Sequence, residues 1–136
     1  MKYAFGEFTY DPQRFELSAG GRSIPIANKP LEMLALLLSE AGRPVSKKRI
    51  YERLWGQAIV EESNLTQTAY VLRKTLSMQM PRKIFIRTVP KCGYLFVEPV
   101  RRIGDVPRRW RVNWNPRTSR LHIEPAVTML DGMKSL

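Results

Sequence analysis

The sequence predicts an α+β fold: an N-terminal antiparallel β-sheet, three helices, and a C-terminal β-hairpin, in that order. Three observations carry the prediction. The first 26 residues alternate apolar and polar side chains and are punctuated by "SAGG" (18–21), the pattern of short strands joined by turns. Residues 28–77 switch to helical spacing with two breaks at glycine. "IFIRTV" (84–89) and "GYLFVE" (93–98) then flank the turn "PKC", which reads as a hairpin.

Taken in order, "YAFGEFTY" (3–10) reads as one strand, "RFEL" (14–17) as a second and "RSIPI" (22–26) as a third. Asn28 is a good N-cap, and Pro30 sits in a first turn where its missing N–H costs nothing. Leu31, Leu34, Leu37, Leu38 and Ala41 follow at helical spacing, and Gly42 and Pro44 end that helix. Ser46 is placed to cap a second helix, "KKRIYERLW", with Ile50 and Leu54 inward. "GQAIVEE" (56–62) is a loop. The third helix, 63–77, holds Leu65, Ala69, Leu72 and Leu76 on one narrow apolar stripe. Ser63, Gln67, Tyr70 and Lys74 lie on the opposite face, flanked by Thr66 and Arg73 on one side and by Val71 on the other.

Composition bounds the function. A 136-residue chain with 43% hydrophobic and 10% aromatic residues is globular, long enough for a core without metal or disulfide staples. Lys and Arg number 23 against 12 Asp and Glu, a net charge of +11, which calls for an anionic partner, most commonly nucleic acid. One cysteine, Cys92, permits no internal disulfide and favours a reducing compartment. The start of the chain lacks the apolar stretch of a signal peptide, and "MLALLL" (33–38) is far shorter than the ~20 residues of a membrane span. The expected location is cytoplasmic. His122 and Cys92 have no further partner at ligand or triad spacing, so neither a metal site nor catalysis is expected.

Three helices followed by a basic hairpin give a winged helix-turn-helix. A major groove about 12 Å wide admits one helix, which needs an apolar back and a polar front, and the third helix has both. Gln67 suits bidentate bonding to adenine, Lys74 a guanine edge or phosphate, and Ser63, Thr66 and Tyr70 supply hydroxyls. Ser46, Lys47 and Lys48 open the second helix toward phosphates. Arg87, Thr88 and Lys91 bring the hairpin onto the backbone or into the minor groove.

"VEESNLTQTAYVLRKTL" followed by "FIRTVPKCGYLFVE" resembles the OmpR/PhoB-type winged-helix DNA-binding domain, and most closely its ToxR/CadC branch. The resemblance covers about residues 3–98. It implies that Ser63, Asn64, Thr66, Gln67 and Tyr70 face the groove and that Arg73 and Lys74 lie near phosphates. It places Trp55, Thr88 and Tyr94 on phosphate, with Gly93 in the wing (88–94), and the loop 56–62 against RNA polymerase, as in activators of this type. Pro90 and Cys92 stand where relatives often carry arginine, which leaves Lys91 as the charge at the wing tip. Membrane-bound members of the branch carry a span after this domain; none is seen here, so the chain is either a short regulator or a fragment.

The expected organisation is a winged-helix domain over 1–99, a linker over 100–109 and an extension over 110–136. In the extension, "RRWRVNWNPRTSRLHIEP" (108–125) reads as a hairpin and "AVTMLDGMKSL" as a short helix. Trp110, Val112 and Trp114 share a face that Leu121 and Ile123 join across "NPRTS". A lone hairpin is marginal in water, so residues 110–124 either dock on their own domain, pair two copies, or capture another regulator. The expected function is that of a bacterial sequence-specific regulator on double-stranded DNA, with no enzymatic activity. The alternative is a protein-interaction module acting on another regulator or on polymerase with weak DNA contact; a structural RNA-binding role is disfavoured by the lack of stacking aromatics on the wing.

Overall fold

The computed structural model describes residues 1–104 with their side chains, and the backbone of residues 110–115 and 120–125. Two compact units are present, Met1–Ile103 and Gly104–Leu136, and each is described by itself.

The first unit opens with β1 (Lys2–Phe5) and β2 (Phe8–Asp11), where one continuous strand is expected over 3–10. Gly6, in the left-handed region at φ +54°, reverses the chain. The reversal resets the alternation, so Phe5 pairs with Phe8 and Tyr3 with Tyr10. All four aromatics become buried, which an unbroken strand forbids because Phe5 and Phe8 would face opposite ways. A Cβ on Gly6 would also lie 2.9 Å from the Met80 sulfur. β3 (Glu16–Ala19) and the two-residue β4 (Arg22–Ser23) continue the meander.

Helix α1 (Asn28–Ser39) begins one residue earlier than expected: Ala27 is the cap, Asn28 is already helical, and no side chain caps the end. The first helical bond runs from Leu31 N–H to the Ala27 carbonyl. Leu31, Met33, Leu34, Leu36, Leu37 and Leu38 are all buried, so α1 is the central helix, touching α2, α3 and the wing. After Gly42 (φ +84°), Val45–Ser46 forms β5, a strand too short to show periodicity in sequence. Ser46 caps α2 (Lys47–Trp55) as expected, its hydroxyl accepting from Arg49 N–H at 3.1 Å. Helix α3 runs Glu62–Gln79 with Leu65, Ala69, Leu72 and Leu76 buried, which is the expected stripe with Thr68 added.

The hairpin consists of β6 (Ile86–Val89) and β7 (Gly93–Phe96), and β5 joins it in the order β5-β7-β6. Phe5, Phe8, Phe85 and Phe96 meet with ring centroids 5.3–6.2 Å apart, tying the N-terminal sheet to the wing by edge-on and stacked contacts. Residues 101–103, expected to lie in a linker, instead form β8 (Arg101–Ile103) and pair antiparallel with β1. The first sheet is therefore five-stranded, β4-β3-β2-β1-β8. The unpaired edge of β1 explains the recruitment, since its free N–H and C=O groups need partners.

In the second unit, β9 (Trp110–Asn115) and β10 (Arg120–Pro125) pair antiparallel, with Trp114 opposite Leu121 and Val112 opposite Ile123. The expected helix over "AVTMLDGMKSL", and residues 105–109, lie outside the described residues.

Candidate nucleic-acid interface

The apolar stripe of α3 is packed on α1, which turns the other face outward. Ser63, Asn64, Thr66, Gln67, Tyr70 and Lys74 are all exposed along it. Tyr70 is 56% exposed, and its ring lies 5.9 Å from the Lys74 ammonium, so a cation and an aromatic plane share one turn of the helix. This face carries hydroxyl, amide and ammonium groups on a rigid element, the equipment for reading base edges.

Arg73 reaches from α3 to the wing. Its Nη2 donates to Thr88 Oγ1 at 2.8 Å and its Nε to the Ile86 carbonyl at 3.4 Å. The guanidinium carbon lies 5.4 Å from the centroid of the Tyr94 ring. Tyr94 is only 5% exposed and belongs to the core. Expected among the DNA contacts, Arg73 and Tyr94 are thus placed in the joint between α3 and the wing, while Thr88 is exposed with its hydroxyl accepting from Arg73.

At the wing tip the turn Val89-Pro90-Lys91-Cys92 is closed by Cys92 N–H to the Val89 carbonyl at 3.0 Å. Proline in the second position and positive φ in the third are the pattern of a type II turn, and here the third residue is Lys91, at φ +61°. Lys91 and Arg87 are exposed. Gly93 has a different role from the one expected. It is buried, and a Cβ there would lie 2.0 Å from the Val45 carbonyl oxygen. Its missing side chain lets β7 approach β5, which withdraws Gly93 from the wing's outer surface.

At the start of α2, Lys48 and Ser46 are exposed and Lys47 is half-buried. The Lys47 ammonium sits 3.0 Å from Glu62 Oε1, and that hydrogen bond holds it protonated to higher pH than an ordinary lysine. The pair joins the first turns of α2 and α3 across a sequence separation of 15, so no local pattern announces Glu62. Trp55 is half-buried with its ring 5.7 Å from that of Tyr51. The Tyr51 hydroxyl is buried without a hydrogen-bond partner, and burial pushes its pKa up, with the Glu62 carboxylate adding to the rise. In the loop after α2, Ile59 is fully exposed.

Among the described residues no group of three or more His, Cys, Asp or Glu is placed to hold a metal ion, and no helix is long and apolar enough to cross a membrane. Of residues 110–124 only the backbone strands β9 and β10 are described, so their expected partner-binding role lies outside what the described side chains address.

A family model described as transcriptional regulatory protein, C terminal, matches residues 21–96. The chain is similar to the transcriptional regulator HilA of Salmonella typhi, at 33% identity over 99 residues covering 73% of this chain and 18% of that protein. It is similar also to the transcriptional activator CadC of Escherichia coli K12, at 28% identity over 96 residues covering 70% of this chain and 19% of that protein. It therefore spans only a small part of the length of these relatives. Among solved structures, the DNA-binding domain of E. coli CadC matches with a TM-score of 0.66 and 27% identity, over 73% of this chain and 94% of that one. The DNA-binding domain of Klebsiella pneumoniae RstA, solved in complex with the RstA box, matches with a TM-score of 0.61 and 26% identity, over 71% and 96%.

Proposed function

This chain belongs to the family of transcriptional regulatory protein C-terminal domains, the OmpR/PhoB-type winged helices, and from that premise we propose that it is a sequence-specific regulator of transcription acting on double-stranded DNA. Helix α3 enters the major groove and the wing, 88–94, rests on the backbone and the minor groove. The observation that carries this reading is the split of α3 into a buried apolar stripe and an exposed face bearing Gln67, Tyr70 and Lys74, on a chain of net charge +11. Ser63, Asn64 and Thr66 extend that face toward the bases. Lys48, Lys91 and Arg87 are free to meet phosphates, and Ser46 and Lys47 stand at the helix start beside them. No catalytic role is assigned to any residue, and the working compartment is the cytoplasm.

Two partner surfaces accompany the reading. The loop 56–62, with Ile59 fully exposed, is assigned to RNA polymerase. The strands of 110–124 are assigned to a second copy or a partner regulator.

The test is a binding titration against a site selected from random duplexes. Gln67→Ala is expected to weaken the selected site by about 1–3 kcal/mol and to leave random DNA unchanged. Equal affinity of variant and wild type for both would remove α3 as the reading element. A protein-interaction module would instead show no shift at micromolar protein in either 50 or 200 mM salt, whereas a DNA-binding protein weakens steeply between them.

A further inference from the structure

We propose that Arg73 is a positioning residue, which sets the angle of the wing on α3, and that its cation is spent inside the protein instead of on a phosphate. The inference rests on the DNA-binding reading above and deepens it.

Three contacts use the guanidinium. Two of its nitrogens donate to β6, at the Thr88 hydroxyl and the Ile86 carbonyl, and its central carbon lies 5.4 Å from the centroid of the Tyr94 ring of β7. One side chain from α3 therefore grips both strands of the wing. Beside this grip a cleft of about 440 Å³ opens between the C-terminal half of α3 and the chain entering β6, lined by Lys74, Ser77 and Ile84. Arg73 itself lines that cleft. A lysine cannot replace it: an ammonium is a point charge, without the planar array that donates in two directions and stacks at once. Lys91 lies three residues beyond Thr88, so the position of the tip charge depends on where Arg73 holds β6.

The test uses Arg73→Lys and Arg73→Ala in the full chain, with circular dichroism to establish that each is folded. In the free protein, amide hydrogen exchange at Thr88 and Cys92 is expected to accelerate on the order of ten-fold in both variants, the loss of one charge-assisted bond, while Leu34 and Leu37 in α1 hold. On the selected DNA site, Arg73→Lys is expected to bind as weakly as Arg73→Ala. Adding either to Lys91→Ala should cost little more than Lys91→Ala alone, since the tip contact is already gone. Three results overturn the proposal: unchanged exchange in the wing, wild-type affinity in Arg73→Lys, or losses that multiply with Lys91→Ala. The last two identify a direct phosphate charge. A wild-type chain that binds no DNA sinks the parent reading instead, and wing exchange then decides the brace alone.

Discussion

Gly93 shows how a residue's constraint can lie outside its sequence neighbourhood. At this turn the left-handed residue is Lys91, and Gly93 is an extended strand residue. Its constraint is space: the Val45 carbonyl stands 2.0 Å from where a Cβ would be, and Lys47 N 2.9 Å. Those neighbours are backbone and cannot swing aside, so Gly93→Ala must push β5 off β7. The expected cost is on the order of 1–3 kcal/mol, as for an overpacked core, read from the urea midpoint. Gly20 is the control, with φ +57° and no atom within 4 Å of its missing Cβ. Gly20→Ala should cost only backbone strain, roughly 1 kcal/mol. If the two variants unfold at the same midpoint, the close approach of β5 and β7 is not what Gly93 provides. The signal for this role was not local, because Val45 is 48 positions away and enters through a strand of two residues.

Elements were legible where their determinants are local. The Ser46 cap and the stripe of α3 are set by residues within a few positions of each other, and both appear where the spacing puts them. The break between β1 and β2 is written in the sequence as a change of phase at Gly6, but an alternating run of this length also reads as one strand. Charged ties between elements were not legible at all. Glu40, at the end of α1, accepts from Arg49 of α2 at 2.9 Å and lies 3.5 Å from Arg43. The Arg49 hydrogen bond is the main reason its carboxyl is held below the ordinary 4.5. A depressed carboxyl pKa means that the folded state favours the ionised form. The stabilisation is complete above pH 4.5 and is lost as pH falls through the lower folded value. Glu40→Gln should therefore flatten the decline in stability below pH 4.5, measured as thermal midpoint against pH, with the two proteins differing less as pH falls. A gap that persists or widens in acid would show that Glu40 acts through something other than its charge. The group is exposed to solvent screening, so the effect belongs to the shape of the curve and not to a large loss at neutral pH.

At the scale of the molecule, the question is where the winged-helix unit ends. The composition after residue 98 looks like a linker because its arginines carry no apolar alternation, and all three residues of β8 are exposed. What places β8 is the free edge of β1, a property of the folded sheet that no window of sequence contains. The family model stops at residue 96, whereas the compact unit runs to Ile103. Arg102 adds side-chain ties to the strand pairing: its guanidinium lies 5.8 Å from the Tyr3 ring and donates to the Ser39 carbonyl at 3.4 Å. A chain ended after Pro99 loses these and re-exposes the edge of β1, whereas a chain ended after Ile103 keeps both. The shorter form should be less stable by about 2 kcal/mol, the worth of a few partly exposed hydrogen bonds. Equal urea midpoints for the two truncations would make β8 an incidental pairing. The same 1–103 form separates the unit from the strands of 110–124. If those strands pair two copies, sedimentation gives a dimer for the full chain and a monomer for 1–103. A second copy bound through the first unit would leave both dimeric, and a monomeric full chain would assign 110–124 to another occupant.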